Sequence, residues 1–146
     1  MPKTIVWIED DTDIIEPVVY PLKQAGYTIV PLRTVKEALD SIEQIRNADL
    51  ILLDMLLPPG PLDTFPSGRK FNRFTGKQLL EELRMIYHLT DIPVIVLSVV
   101  HREEVLQELK SLGVNEVLRK PIRPSVLKAR VEEALESKPP VVLQTT

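Results

Sequence analysis

The stretch IVWIEDDTDI, residues 5–14, sets an apolar run against Glu9, Asp10, Asp11 and Asp13. Grouped carboxylates repel and raise one another's pKa values unless something neutralises them. Further along, Asp54 closes the run DLILLD, Ser98 closes PVIVLS and Lys120 closes NEVLRK. Each is a polar group placed where a buried strand leaves the core. A hard divalent cation would resolve the acidic cluster. Mg²⁺ takes oxygen ligands, keeps several waters and is usually held by one or two carboxylates plus a phosphate. An aspartate beside such an ion can attack phosphorus and become an aspartyl phosphate. Lys120 would meet the phosphoryl group as a point charge, and Ser98 would donate its hydroxyl. Together these residues read as phosphoryl transfer to a protein carboxylate.

The elements that must position them follow from hydrophobic pattern. Strands are predicted at 4–8, 27–32, 49–54, 93–98 and 115–120, alternating with helices at about 12–25, 34–46, 75–88, 101–112 and 124–137. Val35, Leu39, Ile42 and Ile45 line one face of the second helix, the spacing that a 3.6-residue period requires. Gly26 and Gly113 stand where helices should stop. Strands alternating with helices in this way imply a parallel sheet covered on both faces. LILLDMLL and IPVIVLSVV are nearly continuous apolar runs, as doubly covered strands should be. In such a sheet ligands bind at the carboxyl ends of the strands, where the strand order reverses. For an order 2-1-3-4-5 the reversal lies between strands 1 and 3, the two that end in carboxylates. Pro17 and Pro21 fall inside the first helix, which predicts a late start or a kink.

Bulk properties narrow the function classes. At 146 residues, the chain fits one ordinary domain, 1–137, with 138–146 as a tail or truncated linker. A net charge of −3 offers no general attraction to nucleic acid or anionic membrane. The absence of cysteine excludes disulfides, thiolate metal sites and cysteine catalysis. No apolar run approaches the ~20 residues of a membrane helix, and the expectation is a cytoplasmic protein.

The motifs, in this order, resemble the receiver domain of two-component response regulators. IVWIEDD matches the family's acidic strand end, LILLDMLLP its phosphoacceptor strand, VIVLS its hydroxyl strand and LRKPI its lysine-proline signature. The resemblance implies an α/β fold: a doubly wound, five-stranded parallel sheet of order 2-1-3-4-5 in a flavodoxin-like three-layer sandwich. It implies Asp54 as the phosphorylated residue, and Mg²⁺ held by Glu9, Asp10, Asp54 and the Met55 carbonyl. Ser98 and Lys120 would be the switch hydroxyl and the lysine, with a cis Lys120-Pro121 bond. The implied role is that of a phosphoacceptor switch, not an enzyme acting on a separate substrate. Its implied partners are a sensor histidine kinase or phosphotransfer protein and a downstream protein. The resemblance also allows a homodimer through the fourth predicted helix, fifth strand and fifth helix. It gives no reason to expect direct nucleic-acid contact or membrane insertion.

Three departures stand out. Val117 occupies the position of the family's switch aromatic, Val99 follows the hydroxyl where a small residue is preferred, and 17 residues separate Pro58 from Gly76 where three are usual. The inserted stretch 59–75 carries Phe65, Phe71 and Phe74, all three phenylalanines of the chain. Through Lys77 it holds Arg69, Lys70, Arg73 and Lys77 against Asp63, so attraction to the acidic site is expected. Asp11 and Asp13 are read as helix-start charges, His88 and His101 as surface residues, and Trp7 as core. Two other functions remain in view. One is an adaptor that docks partners through the insertion without phosphorylation. The other is a flavodoxin-like or phosphatase enzyme. The latter is disfavoured because an acidic first loop suits no flavin phosphate and Leu56 stands where an Asp-x-Asp pair needs a carboxylate.

Overall fold

A computed structural model describes residues 2–137; the tail assigned to 138–146 lies outside them. The elements are β1 (Thr4–Ile8), α1 (Thr12–Gln24), β2 (Thr28–Leu32), α2 (Val35–Leu39), α3 (Ile42–Arg46) and β3 (Leu50–Asp54). They continue with α4 (Thr75–Met85), β4 (Val94–Ser98), α5 (Glu103–Ser111), β5 (Glu116–Arg119) and α6 (Pro124–Glu136). The five strands form one parallel sheet in the order β2-β1-β3-β4-β5, as the sequence implied.

Successive residues of a strand face opposite sides, so each central strand feeds two cores. Val6, Ile8, Ile51, Leu53, Val94 and Val96 join the layer containing Val35, Ile45, Leu79, Leu83, Val105 and Leu109. Ile5, Trp7, Leu50, Leu52, Ile95 and Leu97 join the other, with Val19, Leu22, Leu127 and Val131. Trp7 is core, as expected. Buried Arg84 donates to the main-chain carbonyls of Leu89, Ile92 and Leu112. It thereby ties the end of α4 to the turn before β4 and to the end of α5.

Two helices differ from expectation. The first begins at Thr12 and runs to Gln24 through both prolines. Pro17 is exposed and Pro21 half-buried, so water can reach the carbonyls that lose a donor. The second predicted helix is divided into α2 and α3 at Asp40-Ser41. Asp40 and Ser41 favour helix ends over helix interiors, and Ser41 N–H bonds to Ala38 in the tighter 3₁₀ manner. The predicted glycine stops are present: Gly26 at φ +99° and Gly113 at φ +79°.

The insertion is ordered by its own anchors. Phe65 is 1% exposed within the core and its ring lies 4.7 Å from that of Phe71. Phe65 N–H bonds to the Arg69 carbonyl and Gly68 N–H to the Phe65 carbonyl, a tight reversal with Gly68 at φ +89°. Gln78 on α4 accepts from Asn72 N–H and donates to the Lys70 carbonyl. Arg69 lies over Phe65 and pairs with Glu81 and Glu82, while Lys77 pairs with Glu81 and Glu108. These two basic side chains are therefore neutralised by helix glutamates. The attraction to the acidic site expected of them is not what holds the loop.

Where the loop returns, the backbone of α4 meets that of β3. A Cβ on Gly76 would fall 1.9 Å from the Asp54 carbonyl oxygen and 2.8 Å from Met55 Cα. Gly76→Ala must therefore push α4 away from the strand end, and overpacking of this kind costs about 1–3 kcal/mol. The urea midpoint should fall accordingly, with little change in the slope; an unchanged midpoint would show that α4 can move freely there.

Candidate functional site

Strand register assembles the site. Ile8 pairs with Leu53, so the next residues, Glu9 and Asp54, emerge side by side. Asp54 pairs with Leu97 and Ser98 with Arg119, which brings Ser98 and Lys120 to the same edge. Lys120 N–H bonds to the Ser98 carbonyl at 2.9 Å, and Lys120-Pro121 is cis. Glu9, Asp10, Asp54, Ser98 and Lys120 thus stand at the carboxyl ends of the strands.

Carboxylate oxygens of Glu9, Asp10 and Asp54 lie within 4.8 Å of one another. The Lys120 ammonium donates to Glu9 Oε1 at 2.6 Å and stands 3.4 Å from Asp54 Oδ1. Glu9 is 1% exposed and Asp54 7%, so two of the three carboxylates are recessed while Asp10 opens to solvent. Leu56 N–H reaches Asp54 Oδ1 at 3.3 Å. Ser98 Oγ accepts from Val100 N–H at 2.8 Å and donates to the Val100 carbonyl at 3.1 Å, which closes a small turn.

One ammonium facing three carboxylates leaves negative charge in excess. Burial pushes the Glu9 pKa up and Asp54 pushes it further, against the opposing effect of Lys120. Burial and Glu9 likewise raise Asp10. For Lys120, burial alone would lower the pKa, but Glu9 and Asp54 outweigh it and the net direction is upward.

Asp11 and Asp13 do not enter the cluster. Asp11 precedes α1 without a side-chain capping bond, and Asp13 pairs with Arg33, whose guanidinium also holds the Thr12 hydroxyl. His88 is exposed, whereas His101 is half-buried with Nε2 at 3.1 Å from the Ser98 carbonyl. His101 thus keeps partial exposure while the turn after β4 folds its ring back over the strand end. Sequence reasoning missed Thr75. It is buried, and its hydroxyl oxygen accepts from Leu57 N–H at 2.9 Å and donates to the Leu57 carbonyl. Its placement just before Gly76, at the far end of a long insertion, was the available signal.

Comparison with known proteins agrees with this geometry. The family model described as "Response regulator receiver domain" matches residues 5–132. The phosphate regulon transcriptional regulatory protein PhoB of Escherichia coli is 27% identical over 144 residues, covering 99% of this chain and 56% of its own. Response regulator GtcR of Aneurinibacillus migulanus is 30% identical over 135 residues, covering 92% and 48%. The crystal structure of a CheY-like receiver domain protein from Methanospirillum hungatei superposes with a TM-score of 0.71 at 23% identity, covering 93% of this chain and 95% of that one. The chain belongs to the response regulator receiver domain family. It is a receiver domain homologous to those of two-component regulators, and neither the adaptor nor the flavodoxin-like enzyme reading is favoured. The chain spans about half the length of the curated relatives it matches.

The raised Asp10 pKa has a thermodynamic consequence. Its folded value lies above the ordinary 3.8, so between the two values the folded chain holds the extra proton. Stability therefore falls as pH rises through that window and stays lowered above it. In metal-free buffer, Asp10→Asn should unfold at higher urea than wild type at pH 7, and the gain should vanish below pH 3.8. A variant no more stable than wild type at pH 7 would contradict the raised pKa that burial and Glu9 give Asp10.

Proposed function

We propose that this domain accepts a phosphoryl group on Asp54 in a Mg²⁺-dependent reaction and passes its state to a partner by surface contact. The observation that carries the reading is the convergence of Glu9, Asp10 and Asp54 within 4.8 Å beside the Lys120 ammonium. Hard oxygen donors at this spacing suit Mg²⁺; burial first and neighbouring carboxylates second raise the Glu9 and Asp10 pKa values, and a bound cation would offset both. The Met55 carbonyl accepts one hydrogen bond, from Gly76 N–H at 2.9 Å. The resemblance would make it a further ligand, with one lone pair already engaged by α4.

When bound, Mg²⁺ would offset the negative charge of the approaching phosphoryl oxygens. The remaining work falls to the side chains. A carboxylate oxygen of Asp54 attacks phosphorus as the bond to the donor breaks, giving a mixed anhydride. Lys120 exchanges its contacts with Glu9 and Asp54 for a phosphoryl oxygen, and Ser98 exchanges the Val100 carbonyl for another. The domain in this reading assists its own phosphorylation and turns over no separate substrate. A histidine kinase or a phosphotransfer protein is the fitting donor, and a cytoplasmic location fits that partnership. The described residues contain no helix long and apolar enough to cross a membrane.

Incubation with acetyl phosphate and Mg²⁺ should label the wild-type chain, and labelling should be lost in Asp54→Asn and on addition of EDTA. Labelling that survives in Asp54→Asn would overturn the assignment. The lifetime of the anhydride is a separate expectation. Its hydrolysis needs a water in line with phosphorus. The residues two positions beyond Asp54 and Ser98 are Leu56, which is exposed, and Val100, which is half-buried. Neither can orient water. Dephosphorylation should be slow, and Leu56→Asn should speed it several-fold by direct decay measurement; an unchanged rate would count against this account.

A further inference from the structure

We propose that Arg33 is a positioning residue for the metal: its guanidinium, by holding the Thr12 hydroxyl, fixes the short turn that carries Glu9 and Asp10. This rests on the Mg²⁺-dependent reading above and deepens it.

The segment from Glu9 to Asp11 joins β1 to α1, and its first two residues bring carboxylates to the acidic cluster. Both ends of this turn are tied to consecutive residues at the end of β2. At its start, Glu9 N–H donates to the Leu32 carbonyl at 2.9 Å. At its end, Arg33 Nε and Nη2 donate to Thr12 Oγ1 at 2.9 and 2.7 Å. Asp10 therefore lies between two anchors. Asp11, which precedes α1, makes no side-chain cap bond; the bonds from Arg33 to Thr12 act at this helix start instead.

Thr12 is buried, so this contact is sheltered from competing water. The accompanying pair with Asp13 is not, because that carboxylate is 93% exposed, and ion pairs so open to solvent contribute little. Arg33 is itself held in place. Leu32 before it pairs with Ile8 in the sheet, Arg33 N–H donates to Glu37 Oε1 at 3.3 Å, and Thr34 Oγ1 accepts from Glu37 N–H. The same stretch receives the chain beyond Asp54: Val35 and Lys36 N–H donate to the Pro58 and Pro59 carbonyls. Residues 32–36 thus brace the continuations of both strands that bring acids to the site. A guanidinium suits this duty, since its planar fork is preorganised and little freedom is lost per bond.

The simpler alternative is that Arg33 is only a counter-charge near the acids. The two roles predict opposite signs. Charge alone would make Arg33 oppose a dication, so its removal should tighten Mg²⁺ binding, most of all at low salt. A positioning role predicts weaker binding, because carboxylates that are free to spread must be ordered again when the ion arrives. Thr12→Val gives an independent measure, removing the acceptor with no change of charge.

The experiment is Mg²⁺ titration of the full chain at pH 7 and low ionic strength, followed by amide chemical shifts, with urea midpoints in parallel. Arg33→Met and Thr12→Val should each raise the Mg²⁺ Kd at least three-fold. The double variant should match the weaker single variant within two-fold, since both remove one contact. Thr12→Ser keeps the hydroxyl and should stay within two-fold of wild type. Val131→Ala, in the core layer that includes α6, should lose stability with its Kd unchanged. A smaller rise in either single variant, or a fall, overturns the proposal. So does a double variant whose loss is the product of the two, or a loss in Thr12→Ser or Val131→Ala equal to that in Thr12→Val. Arg33 is exposed, so its variant decides the matter even if Thr12→Val fails to fold. Wild type that binds no Mg²⁺ overturns the parent reading as well, so the two failures are distinguishable.

Discussion

The contact between the Lys120 ammonium and the carboxylates of Glu9 and Asp54 is the constraint around which the site is built. It joins the first, third and fifth strands at one edge of the sheet, across 111 residues of sequence. Its balance is incomplete by design of the residue set: one cation meets three acids. A fully paired cluster would be stable and inert, since a divalent ion or a phosphoryl group would have nothing to offset. A cluster without Lys120 would be hard to fold, because buried carboxylates shift toward protonation when unpaired. The observed set lies between those limits.

Everything else in the fold keeps that cluster in register. A one-residue slip of any central strand would turn its core residues outward and withdraw its polar end group from the edge. Val6 and Ile8 on one face and Ile5 and Trp7 on the other fix β1 against such slippage. The same alternation fixes β3 and β4. Helix α4 adds a second restraint, because Gly76 allows its backbone to touch the strand end. The geometry of the reactive edge is therefore set by apolar packing some distance from any charge.

How far this was legible in the sequence differs from residue to residue. Glu9, Asp10, Asp54, Ser98 and Lys120 could be placed because each terminates an apolar run, and strand ends in a parallel sheet share one edge. Helix boundaries were less readable. The division at Asp40-Ser41 interrupts a face, Val35 to Ile45, whose periodicity is unbroken, so pattern alone reads it as continuous. Pro17 and Pro21 signal a late start, yet the helical segment begins at Thr12 and runs through both. The insertion was the least legible: its net basic charge suggested attraction to the site, whereas Arg69 and Lys77 find glutamates on α4 and α5. Those pairings depend on tertiary proximity that local sequence does not encode. Thr75 escaped notice for the same reason, its partner Leu57 lying 18 residues earlier.

The insertion is pinned at entry by α2 and at exit by α4, and between them it reverses at Pro66-Ser67-Gly68. A segment held this way separates length from position. For a flexible loop, each doubling of length costs only about 0.6 kcal/mol in closure entropy, while its ends stay where the clamps put them. The tip of this insertion is thus a place where the polypeptide can grow or accept a foreign sequence with the reactive edge left in register. The fold has in effect a port on its surface, mechanically insulated from the chemistry that begins a few residues away.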